Sequence, residues 1–202
     1  MFFFAVHLTR SFPARHLGNA TLHPHIRGMR KTNRSIVLIG FMGTGKSAVG
    51  RLLALQEGWP RFDTDEMIAT ALKMPISEIF VRLGEDRFRE EETAVLKKLE
   101  VVAPSIVVTG GGVVMRPENV ARLRELGSIV CLTADSATLL ERLGRRSNRP
   151  LLQTDNPAET LQTLLREREP FYQEAADFTV DTSSLSHDQV AQSIRDVLAL
   201  SN

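Results

Sequence analysis

Gly40-Phe41-Met42-Gly43-Thr44-Gly45-Lys46-Ser47 is the stretch that decides the fold. It follows an apolar run, Ser35-Ile36-Val37-Leu38-Ile39, and opens a segment in which Val49, Leu52, Leu53 and Leu55 recur at helical spacing. The eight residues match G-x-x-x-x-G-K-[ST] in the strand-to-helix context that the pattern needs, and the bare pattern should arise by chance in under about 1% of chains this long. Glycines let consecutive backbone N–H groups turn inward around phosphate oxygens, and the following helix offers its positive end to the same charge. Lys46 then sets an ammonium against the β- and γ-phosphates of ATP, and the Ser47 hydroxyl supplies a ligand for Mg²⁺. The candidate nucleotide contacts are Gly43, Thr44, Gly45, Lys46, Ser47 and Ala48.

Outward from this loop, short apolar runs alternate with helical stretches, without a domain break or an internal repeat. Strands are expected at 35–39, 62–63, 105–109, 128–132 and 178–180. Helices are expected at 46–56, 65–73, 76–82, 85–100, 117–125, 135–144, 157–174 and 188–198. Continuous Val/Ile/Leu strands between helices imply a three-layer α/β fold, a five-stranded parallel sheet covered on both faces.

The chain has 202 residues, 43% hydrophobic and 24% charged, with a formal net charge of +1. Residues 1–34 hold Arg10, Arg15, Arg27, Arg30, Lys31 and Arg34 and no acid, so 19 basic residues face 24 acidic ones in the remainder. Residues 35–202 therefore read as one mildly acidic globular domain without the basic body of a nucleic-acid binder. The extension reads as a disordered tail, or as sequence upstream of a start at Met29; its Arg-rich composition also has the look of a transit peptide. A metal site among its irregularly spaced histidines is not expected. Cys131 is the only cysteine, which excludes an intramolecular disulfide and fits a reducing cytoplasm. No apolar run reaches the roughly 20 residues that a membrane-spanning helix needs.

Three further clusters address what happens to the phosphate. Asp63-Thr64-Asp65 sits at the end of the second expected strand, beside the loop strand, where ligands bind in a doubly wound sheet. One carboxylate can support Mg²⁺ while the other orients or deprotonates a hydroxyl, although Asp-x-Asp before a helix is also a plain cap. Phe88-Arg89-Glu90-Glu91-Glu92 lies on a helix with Glu85 four residues before Arg89, and spacing alone favours a solvated charged face. Gly110-Gly111-Gly112 ends the Ser105–Thr109 strand, where GTPases and most P-loop ATPases place a metal-binding acid. With no guanine-reading Asn-Lys-x-Asp either, a hydrolysing switch is disfavoured.

In this order and spacing, Gly40–Ser47, Asp63-Thr64-Asp65, Phe88-Arg89-x-x-Glu92 and Gly110-Gly111-Gly112 resemble the shikimate kinase family over residues 35–182. The resemblance implies ATP-dependent phosphorylation of the 3-hydroxyl of shikimate, with Mg²⁺, in aromatic amino acid biosynthesis. It implies that Arg89 and Arg168, the latter in Arg168-Glu169-Pro170-Phe171-Tyr172, bind the substrate carboxylate, a task that suits a planar guanidinium. It further implies that Asp65 contacts the substrate hydroxyls and acts as base, that Asp63 joins Ser47 in supporting Mg²⁺, and that Gly110, Gly111 and Gly112 touch the substrate. Residues 139–152 resemble the family's lid, with Arg149 reaching the transferred group and Arg142 lying against the adenine. After the last strand the chain reads Asp181-Thr182-Ser183-Ser184-Leu185-Ser186, where several members carry Asn-Pro or a basic stretch, and the adenine contacts there stay open. The rivals are a gluconate or nucleoside-monophosphate kinase and a nucleotide-binding module with decayed chemistry. The expected partner is a small acid, for a monomer that engages neither nucleic acid nor membrane.

Overall fold

Nonpolar side chains from both faces of a central sheet organise the fold. The computed structural model describes residues 15–22, 35–100, 104–144, 154 and 156–200. In chain order the strands are β1 (Arg15–Leu17), β2 (Ala20–Leu22), β3 (Ser35–Gly40), β4 (Arg61–Asp63), β5 (Ile106–Val108), β6 (Gly127–Thr133) and β7 (Phe178–Asp181). The helices are α1 (Lys46–Glu57), α2 (Thr64–Leu72), α3 (Ile76–Lys98), α4 (Pro117–Leu126), α5 (Ser136–Gly144), α6 (Pro157–Ala175) and α7 (His187–Leu200). The sheet runs β1-β2-β7-β6-β3-β5-β4, and the five strands from β7 to β4 are parallel.

Alternation along β3 shows why its residues are continuously apolar. Ile36 and Leu38 pack with Val49 and Leu53 of α1 and Val190 and Ile194 of α7, while Val37 and Ile39 pack with Leu96, Leu123, Leu139 and Leu161 on the opposite face. Both faces are buried, as a parallel sheet requires. A smaller cluster of Ile68, Ile79, Phe88 and Val95 joins α2 to α3 beside the sheet. Gly84 interrupts α3 with φ 82 and ψ 169, which restores the two helices that the sequence separates at 82–85. Among the described residues no helix is long and apolar enough to cross a membrane.

Seven strands rather than five make the sheet, and the difference comes from the extension. A two-residue turn, Gly18-Asn19, with Gly18 at φ 61, closes a β1–β2 hairpin, and β2 pairs antiparallel with β7 through Ala20 opposite Val180. Asp181 N–H donates to Asn19 O at 3.0 Å, and Ala20 is buried. Residues 15–22 of the extension thus form part of the sheet. The physical cause is the open edge of β7, whose ladder groups would otherwise face solvent.

Candidate active site

The loop after β3 turns where side chains cannot. Gly40, Gly43 and Gly45 have φ of 133, 85 and 95, and a Cβ at Gly40 would stand under 3.0 Å from the Leu132 carbonyl of the neighbouring strand. Lys46, mostly buried, donates from Nζ to the carbonyls of Gly40 at 2.8 Å and Phe41 at 2.9 Å. Thr44 Oγ1 donates to Phe41 O at 2.8 Å, which tightens the turn. No acidic residue and no side-chain cap occupy the first turn of α1, so its N–H groups face a cleft of about 510 Å³. Gly43, Gly45, Lys46, Ser47, Ala48, Asp65, Gly111 and Arg142 line that cleft, which suits an anion held by backbone amides.

Arg142 ties this loop to the segment that follows β7. Its Nη2 donates to Thr182 O at 2.7 Å, and its Nη1 to Thr182 Oγ1 at 3.0 Å and Gly43 O at 3.4 Å. Thr182 Oγ1 also lies 2.9 Å from Thr133 O and 3.3 Å from Thr44 O. His187, at the start of α7, lines the same cleft, its imidazole 3.7 Å from where a Gly45 Cβ would stand. Sequence reasoning missed Thr182 and His187; the one signal was the departure after Asp181. Arg149, Arg145 and Arg146 lie outside the described residues.

A second cavity, of about 60 Å³, adjoins the first. Met42, Ile76, Phe80 and Phe88 give it apolar walls, and Asp65, Arg89, Gly110, Gly111, Gly112 and Arg168 give it polar ones. The solvated charged face that spacing favours for Arg89 is corrected: Arg89 is 9% exposed and Glu92 0%. Arg89 Nη1 donates to Glu92 Oε2 at 3.0 Å, while Nη2 and Nε both reach Glu85 Oε1, at 2.9 and 3.3 Å. Burial works against the charge of Arg89, but Glu92 and Glu85 outweigh it and raise its pKa. Burial likewise raises the Glu92 carboxyl above the usual range, against the pull of Arg89. Arg168, also buried, sets its guanidinium carbon 5.7 Å from the centre of the Phe41 ring.

The glycine run is a floor with room for other groups' side chains. A Cβ at Gly112 would stand under 3.0 Å from three atoms of the Arg89 guanidinium; one at Gly110 would meet Glu92 Oε1 at 2.6 Å and Asp65 Oδ1 at 2.8 Å. The run is pinned from both sides, with Gly110 N–H donating to Thr64 Oγ1 at 3.2 Å and the Tyr172 hydroxyl donating to Gly111 O. Burial pushes the Tyr172 hydroxyl pKa up, which keeps it a donor. Tyr172 sits four residues after Arg168 on α6, so one helical face delivers both.

Asp63 stands apart from both cavities. Its Oδ1 accepts from Asp65 N–H at 3.2 Å as the cap of α2, and its Oδ2 pairs with Arg61 Nη1 at 2.9 Å. Ser47 and Asp65, by contrast, both line the larger cleft. The Ser47 hydroxyl beside a phosphate-binding loop fits Mg²⁺, which takes few protein ligands and fills its shell with phosphate oxygens and water.

The fold and the paired cavities together define a P-loop phosphotransferase acting on a small molecule. The family pattern described as shikimate kinase matches residues 42–199. A shikimate kinase of Thermodesulfovibrio yellowstonii is 48% identical over 161 residues, 80% of this chain and 92% of that protein. One of Thermoanaerobacter pseudethanolicus is 42% identical over 161 residues, 80% of this chain and 94% of the other. The solved shikimate kinase of Acinetobacter baumannii in complex with shikimate superposes with a TM-score of 0.79 at 37% identity, covering 84% of this chain and 94% of that one. The chain belongs to the shikimate kinase family.

Proposed function

We propose that this chain transfers the γ-phosphoryl group of ATP to the 3-hydroxyl of shikimate. One observation carries the reading: Met42, Asp65 and Gly111 line both cavities, so a hydroxyl held at Asp65 meets the end of a triphosphate held by the loop. Arg89 and Arg168 grip the carboxylate as planar forks. Asp65 orients the attacking hydroxyl and accepts its proton, and the phosphoryl group passes to the alkoxide oxygen as ADP leaves. Gly43, Thr44, Gly45, Ser47 and Ala48 hold the phosphates through the loop and the first turn of α1. Lys46 exchanges its two carbonyl partners for phosphate oxygens, and Arg149 adds a cation to the transferred group. Arg142 lies against the adenine.

Ser47, with Asp63 as a more distant supporting carboxylate, would hold Mg²⁺, which would supply charge neutralisation for the phosphates. The pairing of Asp63 with Arg61 supports an outer role rather than direct ligation. A monomer in the cytoplasm completes the reading, and the buried lone thiol accords with a reducing compartment.

The test is ADP release coupled to a reporter, run against a panel of hydroxy acids with shikimate and gluconate included. Turnover that rises with shikimate and stays at the background rate with gluconate is the expected result. Equal, slow ATP hydrolysis with and without every acid would refute the assignment.

A further inference from the structure

The smaller cavity carries an unbalanced set of charges. Arg89 and Arg168 face three carboxylates, those of Asp65, Glu85 and Glu92. Glu85 is 44% exposed and its charge is solvated, whereas the Glu92 side chain is 0% exposed. Arg89 satisfies Glu92 Oε2, but Oε1 has no hydrogen-bond partner among the described residues. A carboxylate oxygen buried in this way carries a large desolvation penalty while it is ionised. Gly110 adds to the imbalance, because the missing Cβ lets Glu92 Oε1 and Asp65 Oδ1 flank the same point, at 2.6 and 2.8 Å. The charged groups that face Glu92 are Arg89 from its own helix, Asp65 from α2 and Arg168 from α6.

An incoming carboxylate draws on both guanidinium groups and brings a further negative charge. Four carboxylates would then share two cations, and Glu92 is the one that solvent cannot reach. We propose that Glu92 takes up a proton from solvent on Oε1 when an acid substrate docks against Arg89 and Arg168. The inference rests on the carboxylate-binding reading above. Only a proton moves, from buffer to Glu92, and no substrate bond changes. Glu92 is in this sense a positioning residue: neutral, it leaves the substrate both guanidinium groups and spares Asp65 a like charge. The direction follows from linkage. Docking raises the proton affinity of Glu92, so binding strengthens as pH falls, by up to about tenfold per pH unit, and levels off once Glu92 is protonated in the free chain as well.

The test is calorimetric titration of the full chain with shikimate, without nucleotide, at pH 7 in phosphate and in Tris, which differ in ionisation enthalpy. The expected result is an apparent binding heat that shifts between buffers by an amount approaching the uptake of one proton. Glu92→Gln mimics the neutral acid and is expected to bind shikimate with no proton uptake and a Kd insensitive to pH. Infrared difference spectra of the unsubstituted chain should also gain a protonated carboxyl band on adding shikimate, a readout independent of whether that variant folds. Shikimate binding with a buffer-independent heat and no such band would overturn the inference and leave the proposed function standing. Uptake that persists in Glu92→Gln would also overturn it, while absence of any shikimate binding would overturn both.

Discussion

Replacing Gly112 by alanine isolates the claim that the glycine run exists to admit the acid-binding arginine. A Cβ there would stand under 3.0 Å from Cζ, Nη1 and Nη2 of Arg89, and Arg89 cannot simply yield, because Glu85 and Glu92 hold its fork. The guanidinium must leave the floor, and the substrate carboxylate loses one charged partner. A charged hydrogen-bonded contact contributes about 1.5–3 kcal/mol, so kcat/KM for shikimate should fall by roughly 10- to 150-fold. The loss should appear mainly in KM for the acid, with KM for ATP unchanged, since Gly112 does not line the larger cleft. The melt should also fall, because moving the guanidinium takes the buried Glu92 carboxylate's partner away. Steady-state kinetics with each substrate varied in turn, alongside a thermal melt, makes the measurement. A KM for shikimate within threefold of the parent, with a lowered melt, would show that Arg89 does not bind the acid from this position.

Other substitutions probe the remaining parts. Gly40→Ala would drive a Cβ into the Leu132 carbonyl at φ 133, where neither strand can shift; a loss of about 3 kcal/mol or more is expected by urea unfolding. Lys46→Ala should abolish turnover, and activity above a tenth of the parent's would remove Lys46 from the phosphoryl step. Arg168→Lys should raise KM for shikimate chiefly, because an ammonium cannot reproduce the fork; unchanged kinetics would remove Arg168 from the acid site. Burial pushes the Cys131 thiol up to about 12, so at pH 8 iodoacetamide should label it only as urea unfolds the chain. Labelling of the folded protein at the rate of a free thiol would contradict its burial.

Much of the fold was legible because its signals are local. The phosphate loop is a contiguous pattern, β3 and β5 are apolar runs rich in β-branched residues, and Gly84 marks the break in α3 as a glycine between two periodic stretches. The β1–β2 hairpin was not legible. Three-residue strands in an Arg- and His-rich segment carry no periodic pattern, and they form because β7 offers an open edge that lies some 160 residues away in the chain. The same limit hid Thr182, which meets Arg142 and the loop only because β7 ends beside them, and His187, which lines the larger cleft only because α7 returns to the loop.

Arg89 shows most clearly where local reading stops. Its sequence neighbours, Glu85 and Glu92, look like partners on a wet helix surface, and both are indeed its partners. Whether that face meets water or a ligand depends on the packing of α3 against a glycine floor from β5 and on Arg168 arriving from α6, contacts that no residue spacing encodes. The phosphate-binding loop could be read without the fold, since its chemistry is carried by consecutive residues. Tertiary structure alone decided which charges are buried together, because desolvation depends on what covers a group and not on what precedes it in the chain.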